Sequence, residues 1–303
     1  MRVHLLGTAA GGGFPQWNCN CATCRGARAM RARPRSQSCV ALSADGRSWF
    51  LLNASPDLRA QIESFAPLRP PGSVRGTAVE GVLLTNADLD HTLGLFLLRE
   101  GEHLAIHATR EVRRALAQGV ALPAVLASYC RADWIEPPAE LAPLCRRDGT
   151  PSGLLYAALS VPGKPPRYLD DRAAPSAGAS VGYRIVDEAT GGRLAFLPDV
   201  AALDEAVLAA LRDCDAVLFD GTFWSQDEMR SMGVGTASAA DMGHLPVGGL
   251  DGSLARLAQL PVRLKIYVHI NNTNPILLDE SPERRAVEAA GVAVGYDGWD
   301  FSL

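Results

Sequence analysis

The stretch VEGVLLTNADLDHTLGL, residues 79–95, constrains the fold of this chain more than any other. Residues 79–85 form an almost unbroken apolar run, the pattern of a strand covered on both faces; a strand with one wet face would alternate. Such a strand needs a packing layer on each side. Asn86, Asp88, Asp90 and His91 then crowd the end of the strand, and a segment with helical spacing follows. The same organisation recurs. AFLPDV carries Asp199 at the end of an apolar run, VLFDGTFW carries Asp220, and IYVHINNTNP carries His269 followed by Asn271, Asn272 and Asn274. In open α/β arrangements, sites collect beyond the carboxyl ends of the strands.

The rest of the chain supplies the layers. Residues 3–6 read as a strand that ends in a Gly-rich loop. Residues 38–44 and 48–55 read as two strands around an Asp45-Gly46 turn. SPDLRAQIESF reads as a helix with Ser55 as N-cap and Pro56 at its first position. LAIHAT and EVRRALAQ repeat strand and helix. Prolines accumulate from residue 123 onward, so an irregular insertion is expected near residues 121–153. Residues 154–161, 180–188 and 193–200 read as strands, LDEAVLAALRD as an amphipathic helix and AVLFDGT as a buried strand. GSLARLAQL, RLKIYVHI, SPERRAVEAAG and VAVGYDGWDF finish as helix, strand, helix, strand. With no internal repeat and no linker, residues 1–303 are expected to form one α/β domain, with two stacked sheets flanked by helices.

Composition narrows the function. A formal net charge of -4 gives no footing for nucleic acid. No apolar run approaches the length that spans a bilayer, so no membrane partner is expected. The opening MRVHLLGTAAGGG is too briefly apolar for a secretory signal, and seven cysteines is an odd number, so a reducing, cytoplasmic setting without disulfides is expected. Cys39, Cys130, Cys145 and Cys214 read as buried structural thiols.

Cys19, Cys21 and Cys24, in NCNCATC, are different: three thiols in six positions suit Zn²⁺ held from one tight loop. Three sulfurs crowd the metal with negative charge and blunt its Lewis acidity, so the zinc is expected to be structural and to pin the Gly-rich loop GTAAGGG beside the site. That loop follows a strand, but Phe14-Pro15 stands where a helix should start and no lysine follows, which argues against a phosphate cradle.

The combination of GTAAGGGFPQWNCNCATC, TNADLDHTLGL, DGTFW, MGHLP and HINNTNP resembles the metallo-β-lactamase superfamily and, within it, the family of pyrroloquinoline quinone (PQQ) biosynthesis proteins B. The resemblance runs over almost the whole chain and implies an αββα sandwich. Asn86-x-Asp88-x-Asp90-His91 stands in the place of the H-x-H-x-D-H signature, Asp199 in that of the later bridging aspartate, and His269 in that of the last histidine. Asn86 and Asp88 replace two histidines, and the histidine expected midway is missing; His103 and His107, in an early strand, read as packing residues. A dinuclear zinc hydrolase centre is therefore poorly supported.

What remains is His91, His269 and carboxylates from Asp90, Asp88 and Asp199, a donor set that suits non-haem Fe²⁺ and O₂. His91, His269 and Asp90 are expected as ligands, and Asp199 as a ligand or as the group that orients one. Asp88 and Asn86 are expected to complete the pocket, with Asp220 supporting the ligands. His244 is expected as a general acid/base or a contact to a substrate carboxylate. Asn272 stands where related enzymes with the cysteine triplet place a fourth zinc ligand. The resemblance implies an iron-dependent oxygenase that hydroxylates the tyrosine ring of a cross-linked Glu–Tyr intermediate. The alternatives are a carrier in the transport of PQQ or its precursor, and a metal-dependent hydrolase. The partners implied are that small acidic substrate and O₂, with other pathway proteins and a homodimer left open. Lys164, Arg167 and the arginine run from Arg25 to Arg35 read first as solvated surface, and secondly as contacts for an acidic partner.

Overall fold

A computed structural model describes residues 1–303 except 71, 73 and 170–176. Its first six strands are β1 (Arg2–Gly7), β2 (Cys39–Ser43), β3 (Trp49–Leu52), β4 (Val79–Leu83), β5 (His103–His107) and β6 (Arg131–Ile135). Seven more form a second sheet: β7 (Ala142–Cys145), β8 (Pro151–Ser160), β9 (Val181–Asp187), β10 (Arg193–Leu197), β11 (Ala216–Asp220), β12 (Leu264–Val268) and β13 (Ala293–Val294). The last strand, β14 (Asp300–Ser302), returns to the first sheet beside β1.

The two sheets repeat one pairing plan. From β1 to β6 the pairings run antiparallel, antiparallel, then parallel three times. From β8 to β13 they run the same way. β14 and β7 each add an antiparallel edge strand. The halves are alike in topology although no repeat is visible in the sequence.

Side-chain alternation explains the unbroken apolar runs. In β3, Phe50 and Leu52 face the core between the sheets, while Trp49 and Leu51 face the layer of helices. In β11, Ala216 and Leu218 point inward and Val217 and Phe219 outward, onto helix residues such as Leu208, Leu211 and Leu257. Three buried clusters therefore separate four layers, helix, sheet, sheet, helix. Each fully buried large apolar side chain contributes about 1.5–3 kcal/mol. Two helices are capped by side chains: Thr109 accepts from the Val112 N–H over the helix Arg110–Val120, and Asp204 from the Val207 N–H over Glu205–Arg212.

Four expectations are corrected. Residues 121–153 are not an irregular insertion. They carry the helix Leu122–Ala127, strands β6 and β7 and the start of β8. Of the prolines that suggest irregularity, Pro123 sits in a first helical turn, Pro143 in an edge strand and Pro151 at a strand start, while Pro137 and Pro138 lie in the connection between β6 and β7. The helix after Ser55 runs Leu58–Ser64, two residues late, because the Ser55 hydroxyl is engaged with Gln61 Oε1 and the Asp57 N–H. The C-terminal run VAVGYDGWDF is split between β13 and β14, in different sheets. Cys39 and Cys214 are buried, but Cys130 and Cys145 are half-buried. Among the described residues, no helix is long and apolar enough to cross a membrane.

Candidate metal centre

The layers bring the carboxyl ends of strands from both sheets to one place. The turn after β4 contributes Asn86 to His91, the end of β10 contributes Asp199, β11 ends at Asp220, and His269 follows β12. The helix Gly94–Leu98 packs close on the backbone of Ala54 and Ser55 because Gly94 has no side chain; a Cβ there would stand 2.4 Å from the Ser55 carbonyl oxygen.

Three imidazoles converge. The His91 and His269 rings lie 4.9 Å apart and the His244 and His269 rings 5.5 Å, centre to centre. Each ring has its Nδ1 engaged. His91 Nδ1 lies 2.9 Å from Asn86 Oδ1, and Asn86 Nδ2 in turn donates to Asp199 Oδ2 at 3.0 Å. His244 Nδ1 lies 2.8 Å from Asp220 Oδ2. His269 Nδ1 lies 2.8 Å from Thr222 Oγ1, whose hydroxyl donates to Asp220 Oδ1 at 2.6 Å. With the Nδ1 hydrogens held in this way, the Nε2 lone pairs are left for the centre, as in sites where outer hydrogen bonds orient metal-bound histidines. His269 adopts a left-handed backbone (φ 53°), which a non-glycine residue adopts only when held; the Ile270 N–H to the Thr8 carbonyl and the Thr222 contact hold it.

His91 Nε2 is buried and has no hydrogen-bond partner. A nitrogen in that state is open to a ligand, and unlike His107 Nε2, which is equally unpartnered, it has a carboxylate and a second imidazole beside it. Asp90 Oδ2 lies 3.8 Å from it and 3.2 Å from His269 Nε2. These three donors fit one divalent metal: one atom from each of Asp90, His91 and His269 lies within 4.8 Å of the others. Asp199, His244 and His269 form a second such group, with His244 Nε2 3.6 Å from Asp199 Oδ1. The expected site residues His91, His269, Asp90, Asp199 and His244 are thus together, with Asp220 beneath them. Asp88 sits half-buried at the edge. His107 and His103 lie elsewhere, engaged with Tyr156 and Asp133.

The charges are those of a metal-free site. Burial keeps the His91 ring below its usual range, hence neutral and ready to donate. Burial also opposes charge on His269, but Asp199 and Asp90 outweigh it and raise the ring to about 10. Burial would lift the Asp90 carboxyl, yet His91 and His269 hold it well below the usual carboxylate range. Asp88 is pushed up to about 7 by burial and by the Asp90 and Asp199 carboxylates.

Of the groups that support the ligands, Asp220 is legible in the sequence, whereas Thr222 and Glu228 carry no signal there. Thr222 links His269 to Asp220, and Glu228, in the helix Glu228–Ser231, accepts from the Thr273 hydroxyl and the Trp224 N–H, tying together the loops after β11 and β12. Burial raises the Glu228 carboxyl from 4.5 to about 7. An acid whose folded pKa lies above its unfolded one costs stability as pH rises, so stability should fall between about pH 4.5 and 7 and then level, by at most about 3 kcal/mol. Urea unfolding at several pH values should show that slope in the wild type and a flatter profile in Glu228→Gln; identical profiles would contradict it.

The thiols form a second centre. Sγ atoms of Cys19, Cys21 and Cys24 lie within 4.8 Å of one another, a fit for zinc. Asn272 Nδ2 lies 3.3 Å from Cys24 Sγ and 3.7 Å from Cys21 Sγ, so Asn272 does stand over the triplet, and the Thr23 hydroxyl donates to the Asn272 carbonyl. Asn272 follows His269 by three residues. The Gly-rich loop runs alongside, with the Ala10 N–H donating to the Ile270 carbonyl at 2.9 Å and Gly11 against Asp90, where a Cβ would stand 3.3 Å from Oδ2.

Residues 48–270 match the family model of the β-lactamase superfamily domain. The chain is 42% identical to coenzyme PQQ synthesis protein B of Cupriavidus necator, with 99% of each chain covered. Identity to the protein of the same name in Ectopseudomonas mendocina is also 42%, with all of both chains covered. A crystal structure of Zn²⁺-bound PqqB from Methylobacterium extorquens superposes on the full length of both chains, with a TM-score of 0.91 and 40% identity. A diphosphatase of the PhnP family, 18% identical with a TM-score of 0.69, shares the fold.

Proposed function

The chain belongs to the family of coenzyme PQQ synthesis protein B, a branch of the β-lactamase superfamily, and from that premise we propose that it is a metal-dependent enzyme of PQQ biosynthesis that hydroxylates the tyrosine ring of a cross-linked Glu–Tyr intermediate. The observation that carries this reading is the donor set around the unpartnered His91 Nε2: two imidazoles and the Asp90 carboxylate, with Asn86 and Asp88 where a dinuclear hydrolase would need histidines. Two imidazoles and one carboxylate are the donor set that would suit non-haem Fe²⁺ and its O₂ chemistry.

His91, His269 and Asp90 would hold the iron, with Asp199 and His244 beside it. When bound, the ferrous ion supplies activation of O₂. The protein's own part is positioning and proton control. Asn86 and Thr222 fix the two rings, so the ligand atoms do not reorganise during reaction. His244 is hydrogen-bonded through Nδ1 to Asp220 and its Nε2 lies 3.6 Å from Asp199, so the ring can carry a proton to the centre. It is placed to give that proton to an oxygen atom leaving as water. The balance is one oxygen atom into the ring C–H bond and one into water, with two electrons and two protons, the electrons from an external reductant such as ascorbate.

The zinc named for the Methylobacterium protein is assigned here to the cysteine triplet, as a structural ion. The test is oxygen uptake by metal-stripped protein resupplied with Fe²⁺, Zn²⁺ or Mn²⁺, with ascorbate and the cross-linked Glu–Tyr compound. Uptake with iron alone, matched by hydroxylated product, is the expected result. Hydrolysis of model phosphodiesters with zinc would replace this reading by a hydrolase, and tight binding without turnover under every metal would replace it by a carrier.

A further inference from the structure

The rim of the metal centre carries one lysine that the ligand network does not use. The chain has only two lysines, and Lys265 is buried with its ammonium donating to the Leu260 carbonyl. Lys164 lies in residues 161–169, a segment tied down on both flanks of the site. The Pro162 carbonyl accepts from the Ala201 N–H at 2.9 Å, two residues past Asp199. The Tyr168 hydroxyl donates to the Ala87 carbonyl at 2.7 Å, beside Asp88. The Lys164 stem crosses Gly243, next to His244; a Cβ on Gly243 would stand 3.0 Å from Lys164 Cγ. Among the described residues the ammonium makes one long hydrogen bond of 3.3 Å, to the Asp241 carbonyl. Its charge reaches Asp88, where it works against the repulsion from Asp90 and Asp199.

This geometry places a half-buried cation, on a loop pinned beside Asp199 and Asp88, at the rim of the metal centre. A polycarboxylate reaching the centre passes the carboxylates of Asp88, Asp90 and Asp199, and a cation at the rim offsets that repulsion. We propose that Lys164 binds a carboxylate of the substrate and thereby sets which part of the molecule faces the metal. The inference rests on the hydroxylase reading for the identity of the substrate, and adds the residue that selects an acidic one. A single backbone hydrogen bond is readily exchanged for a charge-assisted one to a carboxylate, which is roughly twice as strong.

The experiment compares wild type, Lys164→Met and Lys164→Arg, each as the full chain loaded with zinc, for binding of two probes by calorimetry. One probe is the cross-linked Glu–Tyr compound; the other is its carboxamide analogue, with the same ring and no carboxylates. Met keeps the stem that packs on Gly243, so thermal stability should be unchanged. The expected result is about tenfold weaker binding of the acid by Lys164→Met, substantial rescue by Arg, equal binding of the amide by all three, and a steeper salt dependence for the acid in wild type. Equal affinity of wild type and Lys164→Met for the acid overturns the Lys164 assignment and leaves the hydroxylase reading in place. Failure of wild type to bind either probe overturns both.

Discussion

His91→Ala is expected to lose iron at the catalytic centre and, with it, turnover, while the protein stays folded. His91 is completely buried and its Nε2 has no protein partner, so its removal leaves no charge or donor stranded at that atom. The network that orients the ring, Asn86 to Asp199, survives without it. Loss of an outer partner of a metal-bound histidine costs roughly 10–100-fold in affinity or activity, so loss of the ligand itself should exceed that range and Asn86→Ala should fall within it. Iron retained after gel filtration, ring hydroxylation and the thermal midpoint are the three readouts. Wild-type iron content in His91→Ala would remove His91 from the donor set.

Cys21→Ser is expected to release zinc and lower the thermal midpoint by on the order of 10 °C, because a structural zinc contributes its binding energy to folding. The triplet joins the N-terminal loop to Asn272, and Asn272 lies three residues beyond His269. Weakening it should therefore also reduce iron affinity, although no thiol reaches the iron ligands. Cys145→Ser, outside the triplet, should leave zinc content unchanged. A zinc-replete Cys21→Ser protein with wild-type stability would contradict the structural role.

How far the sequence reveals this architecture can be judged element by element. Buried strands were legible because both faces of β4, β11 and β12 need apolar side chains, which leaves an unmistakable run. His91, His269, Asp90 and Asp199 were legible because each closes such a run. The proline-rich segment 121–153 has the pattern of a loop because proline at an edge strand or a helix start has the same local appearance as proline in a loop. The splitting of the last strand between two sheets is set by long-range pairing, which local pattern does not encode. The matching pairing plans of the two sheets stay hidden for the same reason: pairing direction is fixed by topology, and different side chains fill equivalent strands. His244 was visible as a histidine in a Gly/Pro-flanked loop, but its ring beside His269 follows from Asp220 holding its Nδ1, a contact across 24 residues. Thr222 and Glu228 carry no signature, since a buried hydroxyl or carboxyl acquires its role only from what the fold sets against it.

The central claim is that His91 and His269 hold one metal together with carboxylate oxygen, apart from the thiols. X-ray absorption fine structure at the iron edge of the zinc-replete, ferrous-loaded protein tests it most directly. The account expects at least two imidazole rings and oxygen donors around iron, with no sulfur. Sulfur in the iron shell, or fewer than two imidazoles, would contradict it.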